Sequence, residues 1–163
     1  MLKIVLVDPD IPWNTGNIGR TCLAIDAELH LVGKLGFSID DAQVRRSGLD
    51  YWHQVKVQQH ASLNAFLETQ PPESPRFLFS TKGQKSLWEA EFKSNSILIF
   101  GPETTGLSAE IRQPFKDHVY RIPQVEGMRS LNLSTAVGIA VYEAERQCQR
   151  MEAIGNGQST VVL

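Results

Sequence analysis

The chain has 163 residues, of which 42% are hydrophobic and 21% charged, and its formal net charge is −2. This length suits one domain with a proper core, and the composition is that of an ordinary soluble globular protein. No apolar run is long enough to span a membrane and no charged-then-apolar leader opens the chain, so we expect a cytoplasmic protein without a membrane segment. The weakly acidic total charge gives no sign of nucleic-acid binding, although only the contact face of such a protein has to be basic.

Short apolar strands alternate with helical segments along the chain. The strands are predicted at residues 3–8, 29–32, 55–57, 77–79, 97–100 and 119–122. Residues 13–20 are predicted to form a loop, and a helix with Cys22, Leu23 and Ile25 follows it. A short helix is capped by Asp40 or Asp41 and ends near Gly48. Further helices are predicted from Ser62, from Ser108 to Pro114, and, as the longest, from Leu133. Strands that are continuous apolar runs indicate an α/β fold with a mostly parallel sheet covered by helices on both faces.

One domain is expected over residues 1–151, with a flexible C-terminal tail over residues 152–163. The proline-rich connector at residues 71–75 is too short to be a domain boundary. Cys22 and Cys148 lie in helical patterns and are expected to be core thiols. No Cys/His grouping has the spacing of metal ligands, so we expect no metal.

The candidate binding site lies in the second half of the chain, where three strand ends carry loops of unusual composition. These loops follow Phe79, Phe100 and Ile122. Ligands of parallel sheets bind beyond the carboxyl ends of the strands, so we expect the three loops to meet. A polar loop fixed between a strand and a buried helix holds backbone amides and carbonyls at set angles, which suits a small polar ligand.

Two stretches allow more than one interpretation. The run Asn14-Thr15-Gly16-Asn17-Ile18-Gly19-Arg20 lacks the spacing of a Rossmann fingerprint and the end of a P-loop. It is either a turn with Arg20 on the surface, or a helix N-terminus and an arginine that face a polyanion. Glu103 is a carboxylate in a loop between two glycines, where it needs a partner; alternatively, it caps the next helix.

Other polar residues carry less functional information. No Gly-x-Ser-x-Gly elbow indicates a hydrolase, and the histidines share no placement, so we interpret them as structural. By charge alone, the basic residues of the predicted loops are solvated surface groups; they are Lys34, Arg45, Arg46, Lys82, Lys85 and Arg129.

Taken together, three stretches make the chain resemble a known family. They are Asn14 to Arg20, then Phe100-Gly101-Pro102-Glu103-Thr104-Thr105-Gly106-Leu107, then Arg129-Ser130-Leu131-Asn132-Leu133-Ser134. In this order they are similar to the three motifs of the SpoU (SPOUT) RNA ribose 2′-O-methyltransferases. The opening strand and loop, with Arg45-Arg46-Ser47-Gly48-Leu49-Asp50-Tyr51, resemble the minimal TrmL-type branch, which are tRNA (cytidine/uridine-2′-O)-methyltransferases of the wobble nucleotide.

This resemblance implies a fold, a cofactor and partners. The implied fold is an α/β sheet with a C-terminal trefoil knot, a feature that is almost absent among other proteins. The implied cofactor is S-adenosylmethionine, and the implied substrate is the ribose of a cytidine or uridine in the anticodon stem-loop of tRNA. The implied working unit is a homodimer that shares its active site across the interface.

The resemblance also assigns site residues. The cofactor-contacting positions match Phe79, Gly101, Ile122 and Ser130, with the backbone of Leu131. Glu103 and Asn132 match residues that shape the pocket, and Glu103 is also expected to bind the cofactor. The family's catalytic arginine matches Arg20, with Asn14 beside it. Because a guanidinium has a pKa above ~12 and scarcely deprotonates, we expect Arg20 to bind phosphate or to stabilise the developing alkoxide.

The chain departs from the TrmL-type pattern in three places, and two alternatives stay open. Thr105 stands where an arginine is usual, Gly19 replaces a bulky apolar residue, and the C-terminus does not match. One alternative is a methyltransferase for another tRNA position or for ribosomal RNA. The other is an inactive module that binds RNA or a partner. The presence of Arg20, Asn14 and Glu103 argues against this second alternative.

Overall fold

A computed structural model describes residues 1–37 and 51–155 of the chain. Its strands are β1 (Lys3–Val7), β2 (Glu28–Val32), β3 (Val57–His60), β4 (Arg76–Phe79), β5 (Lys85–Ser86), β6 (Ile97–Phe100) and β7 (Val119–Arg121). Its α-helices are α1 (Pro12–Ala24), α2 (Leu63–Glu68), α3 (Ala109–Arg112) and α4 (Leu133–Gly155), and short 3-10 turns lie at Trp52–Gln54, Leu87–Glu89 and Gln113–His118.

The strands form one seven-stranded sheet in the order β3-β2-β1-β6-β4-β7-β5. Every pairing among these strands is parallel, which confirms the predicted sheet type. The sequence predicted six strands, and it missed β5 because a two-residue strand, Lys85–Ser86, has no apolar run to mark it.

Helices cover both faces of the sheet, as the sequence predicted. Alternate residues of β1 point to opposite faces, so that Ile4 and Leu6 join one core while Val5 and Val7 join the other. Helices α1 and α4 pack on the first face, and α2 and α3 pack on the second. Cys22 and Cys148 are both buried, as predicted for core thiols.

The loop predicted for residues 13–20 is wrong, because α1 already begins at Pro12. A proline at the first helical position needs no amide partner and has its φ preset for the helix. The sequence did not predict a helix here because it contains two glycines, and each glycine disfavours a helix by about 1 kcal/mol relative to alanine. Tertiary packing offsets that preference, because Gly16, Ile18 and Gly19 are all buried.

Several predictions about the chain ends and connections stay predictions. The short helix capped by Asp40 or Asp41, and Arg45 and Arg46, lie outside the described residues. The long helix extends to Gly155, four residues past the predicted domain boundary, and residues 156–163 lie outside the description. The trefoil knot also stays a prediction. In the described part of the chain, no helix has the length and apolarity needed to cross a membrane.

A buried histidine lies on the second face of the sheet, near the edge formed by β3. His30 is only 2% exposed, its Nδ1 lies 3.0 Å from Nε2 of His60, and its Nε2 lies 3.3 Å from a carboxylate oxygen of Glu28. Both imidazole rings pack against Phe66. Burial lowers the pKa of His30 to about 4; the Glu28 carboxylate opposes this shift, while His60 and Lys3 add to it.

This environment makes the stability of the fold depend on pH. Below pH ~6.5 the unfolded chain binds a proton at His30 that the folded chain does not, so stability is fully present above that pH and falls as the pH approaches 4. We expect the free energy of unfolding in urea to drop by about 2 kcal/mol from this group between pH ~7.5 and pH ~5. His30→Gln should lose this part of the pH dependence, whereas the exposed His53→Gln should keep it. An unchanged pH dependence in His30→Gln would contradict the assignment.

Candidate active site at the carboxyl edge of the sheet

A cavity of about 250 Å³ opens beyond the carboxyl ends of β4, β6 and β7. The three loops predicted to meet here do so, together with the start of α4. The six residues predicted to bind the cofactor all line it: Phe79, Gly101, Glu103, Ile122, Ser130 and Leu131. The sequence therefore placed the cavity correctly, while the roles of the individual residues stay predictions.

Two aromatic rings form an apolar part of the cavity wall. Phe79 and Phe100 are register partners in β4 and β6, and their rings stack with centroids 4.7 Å apart and an interplanar angle of 9°. Leu107 and Leu133 add further apolar lining. The wall thus offers a flat hydrophobic surface next to polar loop atoms, a combination that suits a ligand with a ring and a polar chain.

The loop after β6 can close only because glycines stand at its two ends. A Cβ on Gly101 would lie 2.3 Å from the amide nitrogen of Leu107, which is closer than atoms can approach. Gly106 has φ +65°, a left-handed conformation that favours glycine, and its amide donates to the carbonyl of Pro102 at 2.8 Å. The loop therefore folds back on itself and forms one compact wall of the cavity.

Glu103 lies within this loop, and its carboxylate accepts hydrogen bonds from the loop after β1 and from the first turn of α1. Its two oxygens accept from the backbone amide of Asp10 at 2.8 Å, the amide of Ile11 at 3.3 Å and the side-chain amide of Asn14 at 3.0 Å. Thr104 donates to the carboxylate of Asp10 at 2.9 Å beside it. The predicted partner of Glu103 therefore exists. The alternative that Glu103 caps α3 is wrong, because the hydroxyl of Ser108 caps that helix.

The same network reaches the third motif. Asn14 is 1% exposed, and its oxygen accepts from the side-chain nitrogen of Asn132 at 3.0 Å. The oxygen of Asn132 accepts from the amides of Ser134 and Thr135, so this residue caps α4. An unbroken chain of hydrogen bonds thus joins Glu103, Asn14 and Asn132, which come from the three separate motifs.

Arg20 does not line the cavity, although Asn14 is bonded to its wall. The six-residue spacing turns Arg20 about 240° around α1 from Asn14, so the two side chains leave the helix in different directions. Arg20 is exposed, and its guanidinium lies 4.5 Å from the ring centroid of Tyr51. Among the described residues no carboxylate forms an ion pair with it. The prediction that Arg20 meets the sugar therefore stays a prediction.

The glycine before Arg20 has a local explanation. A Cβ on Gly19 would lie 2.5 Å from the ring of Trp52, so that ring fills the space that a larger side chain at this position would need. Trp52 also packs against the hydrophobic core on the face of the sheet that α1 and α4 cover. The departure from the family pattern at Gly19 is thus matched by a large residue from another part of the chain.

Sequence reasoning did not single out every lining residue. Those it did not assign to the site include Ser80, Thr81, Lys82, Gln124 and Ala136. Most of them follow directly after the strand ends that were recognised, so their position was the available signal. Within residues 1–37 and 51–155, no group of three His, Cys, Asp or Glu side chains is placed to hold a metal ion, and the expected lack of a metal stays a prediction.

The chain is similar to proteins that modify RNA. It matches the SpoU rRNA Methylase family over residues 1–142. It is 47% identical over 148 residues to the tRNA (cytidine(34)-2'-O)-methyltransferase of Saccharophagus degradans, and the aligned region covers 90% of this chain and 96% of that protein. A structure solved in work on the 2-OH methylation of C/U34 on tRNA has a TM-score of 0.86 and 46% identity, over 90% of this chain and 95% of its own. The AdoMet-bound rRNA methyltransferase of Sinorhizobium meliloti has a TM-score of 0.79 and 26% identity, over 89% of this chain and 56% of its own.

The hydrogen bonds of Glu103 predict the effect of removing its charge. In Glu103→Gln, the side-chain NH₂ would face backbone or Asn14 donors, so we expect a loss of about 1–3 kcal/mol in the free energy of unfolding, measured in urea. Glu73→Gln, in the exposed connector, removes the same charge and should change stability by less than about 0.5 kcal/mol. Equal stability of the two variants would show that the network does not hold the loops together.

Proposed function

The chain belongs to the SpoU rRNA methylase family, and we propose that it transfers a methyl group from S-adenosylmethionine to the ribose 2′-hydroxyl of nucleotide 34, the wobble cytidine or uridine, in the anticodon loop of tRNA. The observation that carries this proposal is the hydrogen-bond network that joins residues of the three motifs at the wall of one cavity. Relatives of nearly the same length that share this substrate favour tRNA over ribosomal RNA. The proposed location is the cytoplasm, where tRNA is found.

The residues of the cavity fit S-adenosylmethionine. The stacked rings of Phe79 and Phe100 offer an apolar surface for its adenine, and Ser130 and the tight backbone after Gly101 offer polar contacts. The negatively charged carboxylate of Glu103 lies in the wall of the cavity, and a negative charge there favours a cationic ligand. When bound, this cofactor would supply a methyl group on a positively charged sulfur: transfer would form a bond from the ribose 2′-oxygen to the methyl carbon, break the bond from that carbon to sulfur, release S-adenosylhomocysteine and pass the hydroxyl proton to water.

The protein then has two tasks, which are to align the ribose with the methyl donor and to stabilise the oxygen as it loses its proton. Arg20 is the proposed residue for the second task. A guanidinium keeps its proton in proteins, so it serves as a cation that binds a phosphate or the developing alkoxide, and not as a base. The proposed phosphate contacts for the RNA are three basic residues at the carboxyl edge of the sheet, Lys34, Lys82 and Arg129.

A homodimer would bring Arg20 to a cavity, because Arg20 does not reach the cavity of its own chain. Large side chains stand exposed on the two helices of the first face: Trp13 of α1 is 54% exposed and Tyr142 of α4 is 56% exposed. Aromatic side chains such as these are enriched at protein–protein interfaces, so we place them in the proposed dimer contact. In the proposed dimer, the cavity of one chain and Arg20 of the other form one active site.

The reaction is tested with labelled S-adenosylmethionine and bulk tRNA. We expect label at the ribose of nucleotide 34, located by nuclease digestion and mass spectrometry of the modified RNA. Label in ribosomal RNA alone, or at another tRNA position, would overturn the proposed substrate. Binding of the cofactor without transfer to any RNA would overturn the proposed activity.

Variants at Arg20 test in the same assay whether this residue takes part in methyl transfer. Arg20→Ala should lower the rate of methyl transfer by about 10²–10³-fold, as expected when a group that stabilises developing charge is lost. Arg20→Lys keeps the charge and should retain clearly more activity than Arg20→Ala. Both should bind S-adenosylhomocysteine as the unchanged protein does, by calorimetry. A lysine variant as inactive as the alanine variant would show that the planar guanidinium itself is required.

The shared active site predicts complementation between two inactive variants. Arg20→Ala lacks the cation, and Ala136→Phe fills the cavity in which Ala136 lies. Co-expression of the two chains with different tags should restore roughly a quarter of the normal activity per protomer, because random pairing gives one complete site in half of the dimers. A mixture as inactive as either variant alone, in material shown to contain both tags in one particle, would place Arg20 in the site of its own chain.

A further inference from the structure

We propose that Tyr51 is a positioning residue that holds the guanidinium of Arg20 in the orientation in which it meets the RNA. This inference rests on the proposed function and adds to it a residue that touches neither cofactor nor substrate. It starts from a contact that the cavity does not explain: the guanidinium carbon of Arg20 lies 4.5 Å from the ring centroid of Tyr51. This distance is well within the range of an attractive cation–π contact.

One tyrosine side chain reaches two successive turns of α1. Its hydroxyl donates to the backbone carbonyl of Gly16 at 3.3 Å, while its ring lies under Arg20. Gly16 and Arg20 are four residues apart, so they share one face of the helix. The hydroxyl bond therefore adds to the packing of this segment in holding the ring against the helix that carries the arginine.

The next residue fixes the same segment from the side. Trp52 fills the space above Gly19, where a Cβ would be only 2.5 Å from its ring. The amides of Gln54 and Val55 donate to the carbonyls of Tyr51 and Trp52, so the segment is held in a short 3-10 turn. Tyr51 and Trp52 thus contact adjacent residues of α1, and the tyrosine keeps a set distance from the helix.

Arg20 needs such a support because nothing else in the described part of the chain restrains its charged end. An exposed arginine loses about 1.5–2 kcal/mol of rotamer freedom when it is fixed in one conformation. A ring beneath the planar guanidinium removes part of this freedom before the RNA binds and leaves the edge donors of the guanidinium available. The expected consequence is a faster reaction without a change in cofactor affinity.

The test compares Tyr51→Leu and Tyr51→Phe in the full-length protein. Tyr51→Leu removes the ring and should lower kcat/KM for tRNA by about two- to fivefold, the effect of losing an exposed cation–π contact. Tyr51→Phe keeps the ring and should retain most of this activity. The affinity for S-adenosylhomocysteine should be unchanged in both, because Tyr51 does not line the cavity.

A double-mutant cycle with Arg20→Ala separates positioning from general loosening of the fold. If Tyr51 acts through Arg20, then Tyr51→Leu causes no further loss in the Arg20→Ala background. The same two- to fivefold loss in both backgrounds, or equal activity of Tyr51→Leu and the unchanged protein, would overturn the proposal.

A measurement without RNA keeps this inference distinguishable from the proposed function. In protein labelled with ¹⁵N arginine, the side-chain N–H of Arg20, assigned by its loss in Arg20→Ala, should be shifted by the ring current of Tyr51. The shift should disappear in Tyr51→Leu and persist in Tyr51→Phe; a signal that is the same in all three proteins would overturn the contact itself. Failure of the unchanged protein to methylate tRNA, with this shift present, would contradict the proposed function and leave Arg20 positioned for a different anionic ligand.

Discussion

The arrangement of the site depends on one carboxylate that has to find hydrogen-bond donors. Glu103 stands in a loop at the end of the central strand β6, partly withdrawn from water, where an unbonded charge would be unfavourable. Two backbone amides and the side chain of Asn14 supply its donors. Because these donors belong to the loop after β1 and to the first turn of α1, the interaction fixes the start of α1 against the wall of the cavity.

This interaction extends to the longest helix through a second amide. Asn132 donates to Asn14 and at the same time caps α4, so that the start of this helix is set relative to Glu103. The buried side chain of Asn14 is bonded at both ends, because its nitrogen donates to Glu103 and its oxygen accepts from Asn132. The three motifs thus share one structural task, which is to keep the loops after β1, β6 and β7 in a fixed relation around the ligand cavity.

Helix α1 serves two sides of the molecule. Its first turn takes part in the network behind the cavity wall, while Arg20 leaves the helix in another direction and stacks on Tyr51. A helix cannot direct residues at this spacing to the same point, because its turn of 3.6 residues separates them. In the proposed dimer, this separation places Asn14 behind the cavity of its own chain and Arg20 at the cavity of the other chain.

The sequence by itself determined the sheet type, the two covered faces and the three loops that meet, because apolar runs and strand-end residues are local patterns whose consequences follow from the geometry of parallel sheets. It did not determine that α1 begins at Pro12, since the glycines within it disfavour a helix and only packing against Trp52 and the core offsets this. Nor could it show that Glu103 bonds to the loop after β1, or that Arg20 points away from the cavity of its own chain. These contacts join residues that are 31 to 118 positions apart or depend on helix rotation, and only the tertiary structure sets such distances.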